Sequence, residues 1–441
     1  MDFLPNFGDL PLTIVAFIVA LSIIVAVHEY GHYIVGRWTG IKADVFSLGF
    51  GPVLFSRFDR HGTKWQVAAL PFGGYVKFKG DSDAASGQDA QAIASMGDTE
   101  RRTTMHGAPL WARSLTVAAG PFFNFALSIA IFAGVILFSG QADDEPRIGA
   151  VRDLPADMAL LQEGDLILAV EGTEVDSLGD VLAAAVELGA NETVGYTIER
   201  AGSVLDVEAS LPMVPIIDSV TPRSAAIEAG LEVGDVIQAV DGVPIYAFGE
   251  IRALVEASGG EEVALSVWRD GEVLEFALTP RMTDLPSADG GFESRLLIGI
   301  TGGLFYEPPR QQVGAAEAAQ YGVERTWFVI TSSLSGLYHI IVGDIGTCNL
   351  QGPIGIAETS GAAASQGIDN FVWFVAILSA AVGLLNLFPI PVLDGGHLVF
   401  FAYEAAVGRP PSDRALRVFM SVGLTLLLSL MLFATFNDFV C

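Results

Sequence analysis

The residues with the clearest chemical purpose are His28-Glu29-Tyr30-Gly31-His32. On a helix, imidazoles four residues apart share one face and can grip one cation, with Glu29 beside them to take a proton from bound water. The pentad follows directly on an uncharged stretch, residues 10–27. Histidine and carboxylate side chains at the end of a lipid-crossing helix are costly unless each has a partner, so the pentad reads as a metal site. Two imidazoles leave a tetrahedral ion one protein ligand short if a fourth position is kept for water. Asp394, in Asn386-Leu387-Phe388-Pro389-Ile390-Pro391-Val392-Leu393-Asp394-Gly395-Gly396-His397, is the candidate third ligand, and His397 is its rival. Pro389 and Pro391 break a helix just ahead of Asp394 and put non-helical backbone at membrane depth, which is tolerated only against protein or water. Asn386 either donates a hydrogen bond to a bound carbonyl or pins neighbouring helices. His61, His106 and His339 have no ligand-like spacing and read as structural.

These groups need elements that carry them to one place. Of the 441 residues 51% are hydrophobic and 17% charged, and the apolar excess collects in four stretches long enough to cross a bilayer. The spans are assigned to residues 10–35, 113–138, 371–393 and 418–437. The first has no basic leader and no small-residue cleavage site after it, so it reads as a retained span. Residues 36–113 hold 10 basic and 7 acidic residues, including all four lysines, whereas residues 139–370 hold 10 basic and 37 acidic. The positive-inside rule puts the first loop in the cytoplasm and both termini outside. Two crossings then separate His32 from Asp394, and both reach the cytoplasmic end. The uncharged residues 326–342 read as a helix at the outer interface, because a fifth span would carry Asp394 to the far side. A net charge of −28 excludes nucleic acid as a partner. Cys348 and Cys441 are too few for a disulfide framework and read as unpaired thiols.

The outer segment repeats at an offset of 70: Leu161-Gln162-Glu163-Gly164-Asp165-Leu166 matches Leu231-Glu232-Val233-Gly234-Asp235-Val236. Each copy continues with a strand, a Gly turn, a helix (178–188, 248–257) and two strands around Ala201-Gly202 or Asp270-Gly271. The second copy, with Ala229-Gly230-Leu231, resembles a PDZ domain of the circularly permuted type in envelope proteases. The first copy lacks the Ala-Gly-Leu. On the inner side, residues 45–50, 65–70 and 75–78 read as short strands of a membrane-associated hairpin, and residues 81–104 as a mobile polar loop.

Together these features resemble the site-2 protease family of intramembrane zinc metalloproteases, closest to the branch with tandem PDZ domains that regulates sigma-E. The resemblance runs through the pentad, Gly49-Phe50-Gly51-Pro52, Pro71-Phe72-Gly73-Gly74-Tyr75-Val76-Lys77, Gly120-Pro121-Phe122-Phe123-Asn124-Phe125, Leu350-Gln351-Gly352-Pro353-Ile354-Gly355 and the segment 386–396. It implies one Zn²⁺ on His28, His32 and Asp394, with Glu29 as catalytic base. It implies substrate handling by Asn386 and by the hairpin around Gly73, Gly74 and Tyr75. The fold implied is a polytopic α-helical membrane protein of four transmembrane helices with a membrane-associated β-hairpin and two extracytoplasmic PDZ-like α/β domains. Its parts would be a cytoplasmic loop with the hairpin at 36–112, PDZ-like domains at 146–212 and 213–282, a periplasmic linker with amphipathic helices at 283–370 and a cytoplasmic loop at 394–417. It further implies the bacterial inner membrane, with periplasmic termini and the site near the cytoplasmic side. Single-span membrane substrates follow, an anti-sigma factor trimmed by an upstream site-1 type protease above all, and remnant signal peptides besides. A small-molecule hydrolase or transporter fits the tandem peptide-binding-like domains poorly, and a scaffold with a vestigial site fits an intact Glu29 poorly.

Overall fold

The computed structural model describes residues 10–82, 90–156, 158, 161–189, 191–286 and 292–440. A bilayer core offers no water to backbone groups, so apolar runs of this length must close their hydrogen bonds internally. Among the described residues four helices are long and apolar enough to cross a membrane: Leu10–Trp38, Leu110–Ser139, Ile368–Asn386 and Arg414–Val440. This is a multi-pass membrane architecture. The chain divides into two compact units, one formed by Met1–Val135, Ala315–Val342 and Leu350–Cys441, the other by Ile136–Gly314 and Gly343–Asn349, each within its described residues.

The first unit opens with α1 (Leu10–Trp38), followed by the strands β1 (Ala43–Phe58) and β2 (Lys64–Phe78). The three short strands expected here are parts of these two long, bent ones. Residues 45–48 partner 74–77 on one side and 64–67 on the other, while 53–58 partner 64–68, which leaves 74–77 at an edge. The tip is pinned to α1 through Asp59. Its carboxylate accepts from Tyr33 Oη (2.7 Å), the amides of His61 (2.8 Å) and Thr63 (2.9 Å), and Trp65 Nε1 (3.2 Å). Partial burial pulls the Asp59 carboxyl up, but these donors outweigh it and hold it at about 2. The loop expected to be mobile contains the short helices α2 (Ala90–Ser95) and α3 (Asp98–Arg101), and its ends Asp81 and Thr104 are buried. Residues 83–89 of it lie outside the described residues. Helix α4 (Leu110–Ser139) follows, with Pro121 inside it.

The second unit begins with β3 (Gln141–Ala142). Strands β4 (Leu166–Val170) and β5 (Thr173–Glu174), helix α5 (Leu178–Glu187), and strands β6 (Val194–Arg200) and β7 (Ser203–Ala209) form a sheet of order β5-β4-β6-β7. After β8 (Ile217–Val220) and α6 (Ala225–Ala229) come β9 (Val236–Val240), β10 (Val243–Pro244), α7 (Phe248–Ala257), β11 (Val263–Arg269) and β12 (Glu272–Leu278). Their sheet has the corresponding order, β10-β9-β11-β12. Both hairpins turn on residues at positive φ, Ala201-Gly202 (51° and 80°) and Asp270-Gly271 (50° and 91°), the geometry that matches strand twist. In each half the aspartate of the Gly-Asp turn is buried and paired with an arginine, Asp165 with Arg200 and Asp235 with Arg269, both at 2.6 Å. Strands β13 (Arg281–Pro286) and β14 (Phe292–Leu297) pair with each other, β15 (Ile300–Gly302) with β8, and β16 (Arg310–Gln311) with β3. Cys348 is disulfide-bonded, which corrects the expectation of unpaired thiols. A low cysteine count excludes a framework of bridges, not a single bridge. Cys441 lies outside the described residues.

The remaining helices belong to the first unit: α8 (Ala315–Val342), α9 (Pro353–Ser365), α10 (Ile368–Asn386), α11 (Asp394–Val407) and α12 (Asp413–Val440). In α8 only Ala318, Gly322 and Thr326 are buried, a stripe of small residues four apart. A side chain at Gly322 would stand 2.5 Å from the Ile129 carbonyl of α4, and Thr326 Oγ1 meets Ser128 Oγ at 3.1 Å. Small residues are what allow two helices to approach this closely. Asp438 of α12 accepts from the amides of Gly352 (2.9 Å) and Ile354 (3.1 Å), placing a negative charge at the N-terminus of α9.

Candidate metal centre

His28 and His32 lie one turn apart on α1, with ring centroids 4.8 Å apart and planes at 83°. Asp394 reaches them because α10 ends at Asn386 and the proline-containing segment reverses into the first turn of α11. The reversal is tight. A side chain at Gly395 would collide with the carbonyls of Leu387 and Phe388, and one at Gly396 with that of Ile390. Asp394 Oδ2 then lies 3.1 Å from His28 Nε2 and 3.5 Å from His32 Nε2, and the two Nε2 atoms are 3.1 Å apart. All three candidate ligand atoms lie within 4.8 Å of one another.

The chemistry of this set fits a divalent cation. Asp394 Oδ2 is buried with no hydrogen-bond partner, a cost of about 1–3 kcal/mol or more for a charged group. A cation between it and the two Nε2 atoms would satisfy all three. The donor set of two imidazoles and one carboxylate is one that holds Zn²⁺ with a position left open. His32 Nδ1 lies 2.8 Å from the Thr116 carbonyl, which can only accept, so the proton sits on Nδ1 and the Nε2 lone pair is free.

Glu29 lies between the two histidines in sequence, and its side chain packs against the β2 edge at Gly74. Gly74 makes that approach possible. A side chain there would stand 3.2 Å from Glu29 Cγ, 2.9 Å from Val25 Cγ1 and 2.8 Å from the Ser47 carbonyl. A cavity of about 990 Å³ opens on Glu29 and the three candidate ligands. Gly74, Tyr75 and Asn386 line it as well; Gly73 does not, and with a φ of 138° it turns the chain into the edge. Tyr75 stacks on Phe50, with centroids 6.0 Å apart, and its hydroxyl accepts from Gln66 Nε2 at 3.2 Å. The Asn386 amide donates to Val382 of its own helix at 3.0 Å. His397 lines the cavity one turn beyond Asp394, outside the three-residue cluster, and burial pushes its imidazole below the ordinary value.

Several contributors were missed from sequence. Gly120 of α4 sits under both imidazoles, where a side chain would stand 2.5 Å from His32 Cε1 and 2.8 Å from His28 Cε1. Asn124, buried one turn further on, places its amide 3.2 Å from His28 Nδ1. Both lie in the glycine-proline motif of the second span, whose spacing alone did not reveal a role. Arg113 forms a two-pronged ion pair with Glu404 (2.6 and 3.1 Å) across α4 and α11, with the guanidinium over Phe401. His106, read as structural, lines the cavity and lies 3.2 Å from buried Asp81. Burial raises the Asp81 carboxyl, against the pull of His106 and of the Phe78 amide. His61 pairs with Arg37, and the His339 ring packs on Tyr338.

Known proteins give the chain its family. The profile of peptidase family M50 matches residues 16–430. A protein named as a zinc metalloprotease in Agrobacterium fabrum is 36% identical over 98% of this chain and 96% of its own length. Another so named in Rhizobium meliloti is 36% identical over 98% and 97%. The regulator of sigma-E protease of Salmonella typhimurium is 33% identical over 96% of this chain and 97% of its own. A solved PDZ domain of an SdrC-like protein from Listeria monocytogenes covers 22% of the chain at 20% identity, with a TM-score of 0.18, too low to speak for the fold. A family match over nearly the whole chain, together with a His-His-Asp cluster able to hold the metal, makes this chain a zinc metalloprotease of peptidase family M50.

Proposed function

We propose that the protein is a site-2 type intramembrane protease, which hydrolyses peptide bonds within the transmembrane segments of single-span membrane proteins. The observation that carries this reading is the unpartnered Asp394 Oδ2 facing two imidazoles of the apolar helix α1, with Glu29 beside them in one cavity. In this reading His28, His32 and Asp394 hold one Zn²⁺ and Glu29 is the base. Zinc there supplies Lewis acidity, which makes water more acidic and polarises a peptide carbonyl. Glu29 takes the proton of the attacking water as the new C–O bond forms and delivers it to the amide nitrogen as the C–N bond breaks. A substrate helix hides its carbonyls in its own hydrogen bonds and must unwind first. The edge at residues 74–77 has a partner strand on one side and could receive the unwound segment by strand addition on the other. Gly73, Gly74 and Tyr75 would present the segment, and Asn386 would contact it from α10.

The charge bias supports a site near the cytoplasmic face of a bacterial inner membrane, with the acidic segment and both termini in the periplasm. The disulfide at Cys348 supports an oxidising compartment for residues 343–349. The outer sheets support tandem PDZ-like domains at 146–212 and 213–282, acting as a gate that admits substrates already shortened outside. An anti-sigma factor trimmed by a site-1 type protease is the leading substrate, in keeping with the name of the Salmonella relative; remnant signal peptides are the second.

The test is cleavage of a purified single-span reporter, full-length and pre-trimmed, by the zinc-loaded protein in detergent, with the products identified by mass spectrometry. A cut inside the apolar span, faster for the trimmed form, is expected. Cuts confined to soluble segments would overturn the reading.

A further inference from the structure

We infer that Asn124 is a positioning residue of the metal centre: its side-chain carbonyl accepts the Nδ1–H of His28 and so holds the ring in the tautomer that turns the Nε2 lone pair to the ion. The inference rests on the metal-site reading above and adds to it a residue that ligates nothing.

Asn124 is fully buried in α4. One atom of its amide lies 3.2 Å from His28 Nδ1, and the oxygen, as placed away from the ring, is buried without a partner. A half-turn of the amide exchanges its nitrogen and oxygen. Chemistry chooses between the two settings. With the NH₂ towards the ring, Nδ1 must accept, and neutral His28 carries its proton on Nε2. That atom lies 3.1 Å from both Asp394 Oδ2 and His32 Nε2, so the proton would occupy the centre of the ligand set. With the oxygen towards the ring, the proton sits on Nδ1, Nε2 is bare and the orphaned oxygen is used. His32 reaches the same state through the Thr116 carbonyl.

Both ligands of α1 are therefore oriented from α4, by residues 116 and 124, which flank Gly120 at intervals of four on one helical face. Asn124 is itself held from α10. Ser379 Oγ donates to its backbone carbonyl at 2.9 Å, and a side chain at Gly383 would stand 3.2 Å from Asn124 Cβ. A third spanning helix thus supports the metal site without contributing a ligand.

The experiment measures the apparent zinc Kd of the purified full chain in detergent by chelator competition. It compares wild type, Asn124→Asp, Asn124→Leu, Asn124→Ala and His28→Ala. Asn124→Asp keeps an acceptor at the same reach and binds zinc at least as tightly as wild type. Asn124→Leu, of similar size but without an acceptor, binds about 10–100-fold more weakly; Asn124→Ala behaves likewise and carries the comparison if the leucine variant does not fold. A role in packing alone would weaken the Asp and Leu variants together, and that result, or wild-type affinity in Asn124→Leu, overturns the assignment. Wild type that fails to bind zinc, or His28→Ala that binds it normally, would instead overturn the metal centre beneath it.

Discussion

Gly120→Ala should damage the metal site without damaging the fold. Two effects oppose each other there. Replacing a glycine inside a helix by alanine is worth about 1 kcal/mol in intrinsic helix propensity. The added Cβ, however, would stand 2.5 Å from His32 Cε1, against 3.4 Å for ordinary contact, so the ring must yield by 0.9 Å. Zinc–nitrogen distances tolerate only about 0.2 Å. Overpacking of this kind costs about 1–3 kcal/mol. If the strain is relieved by letting the imidazole swing away from the ion, it appears as zinc binding weakened by about 5- to 150-fold, at 1.36 kcal/mol per tenfold. Gly134→Ala on the same helix is the internal control, because its Cβ would meet nothing within 4 Å. Chelator competition and thermal unfolding of both variants decide the matter. Wild-type zinc affinity in Gly120→Ala would refute the argument that this glycine is the floor of the site.

Asp394→Ala should lose bound zinc as well as activity, since two imidazoles without an anionic third ligand make a weak site; elemental analysis of purified protein checks this, and full occupancy would move the role to His397. Asp59→Asn should lower stability by about 1–3 kcal/mol at neutral pH, because a carboxylate accepting four hydrogen bonds is replaced. Its carboxyl is depressed in the folded protein, so this stability is present above about pH 4 and is lost as pH falls towards 2; unfolding curves of the two proteins should converge over that interval. Single-cysteine probes in intact cells, after replacement of Cys348 and Cys441, should react with an impermeant thiol reagent at Ser203 and Ser365 and not at Ser412; protection of Ser365 beside a labelled Ser203 would add a crossing and separate Asp394 from the histidines.

The parts of this molecule that were legible in its sequence are those written in local patterns. Four uncharged runs marked the spanning helices, Pro389 and Pro391 marked the break before Asp394, and Gly-containing turns marked the hairpins at Ala201-Gly202 and Asp270-Gly271, whereas β13 to β16 fall in or beside a stretch that reads as a linker with amphipathic helices. What escaped is long-range or carried by the backbone. The Thr116 carbonyl and the missing side chain of Gly120 leave no sequence pattern by which to find them. The Arg113–Glu404 pair joins residues 291 apart, and the His106–Asp81 pair depends on how the loop folds back. That loop is polar in composition, yet Asp81 is buried, with its carboxylate accepting the Phe78 amide at 2.9 Å. Pro52 and Pro71 suggest strand ends in the sequence, but at both the chain bends and the strand continues.

Glu29 is proposed as a base that is not a ligand, and one paired measurement tests that role directly. Purified wild type and Glu29→Gln are assayed for zinc per chain and for cleavage of the same trimmed single-span substrate. The variant should retain the metal, because His28, His32 and Asp394 are untouched, and should not cut. Cleavage near the wild-type rate by zinc-loaded Glu29→Gln, or loss of its zinc, would contradict the account.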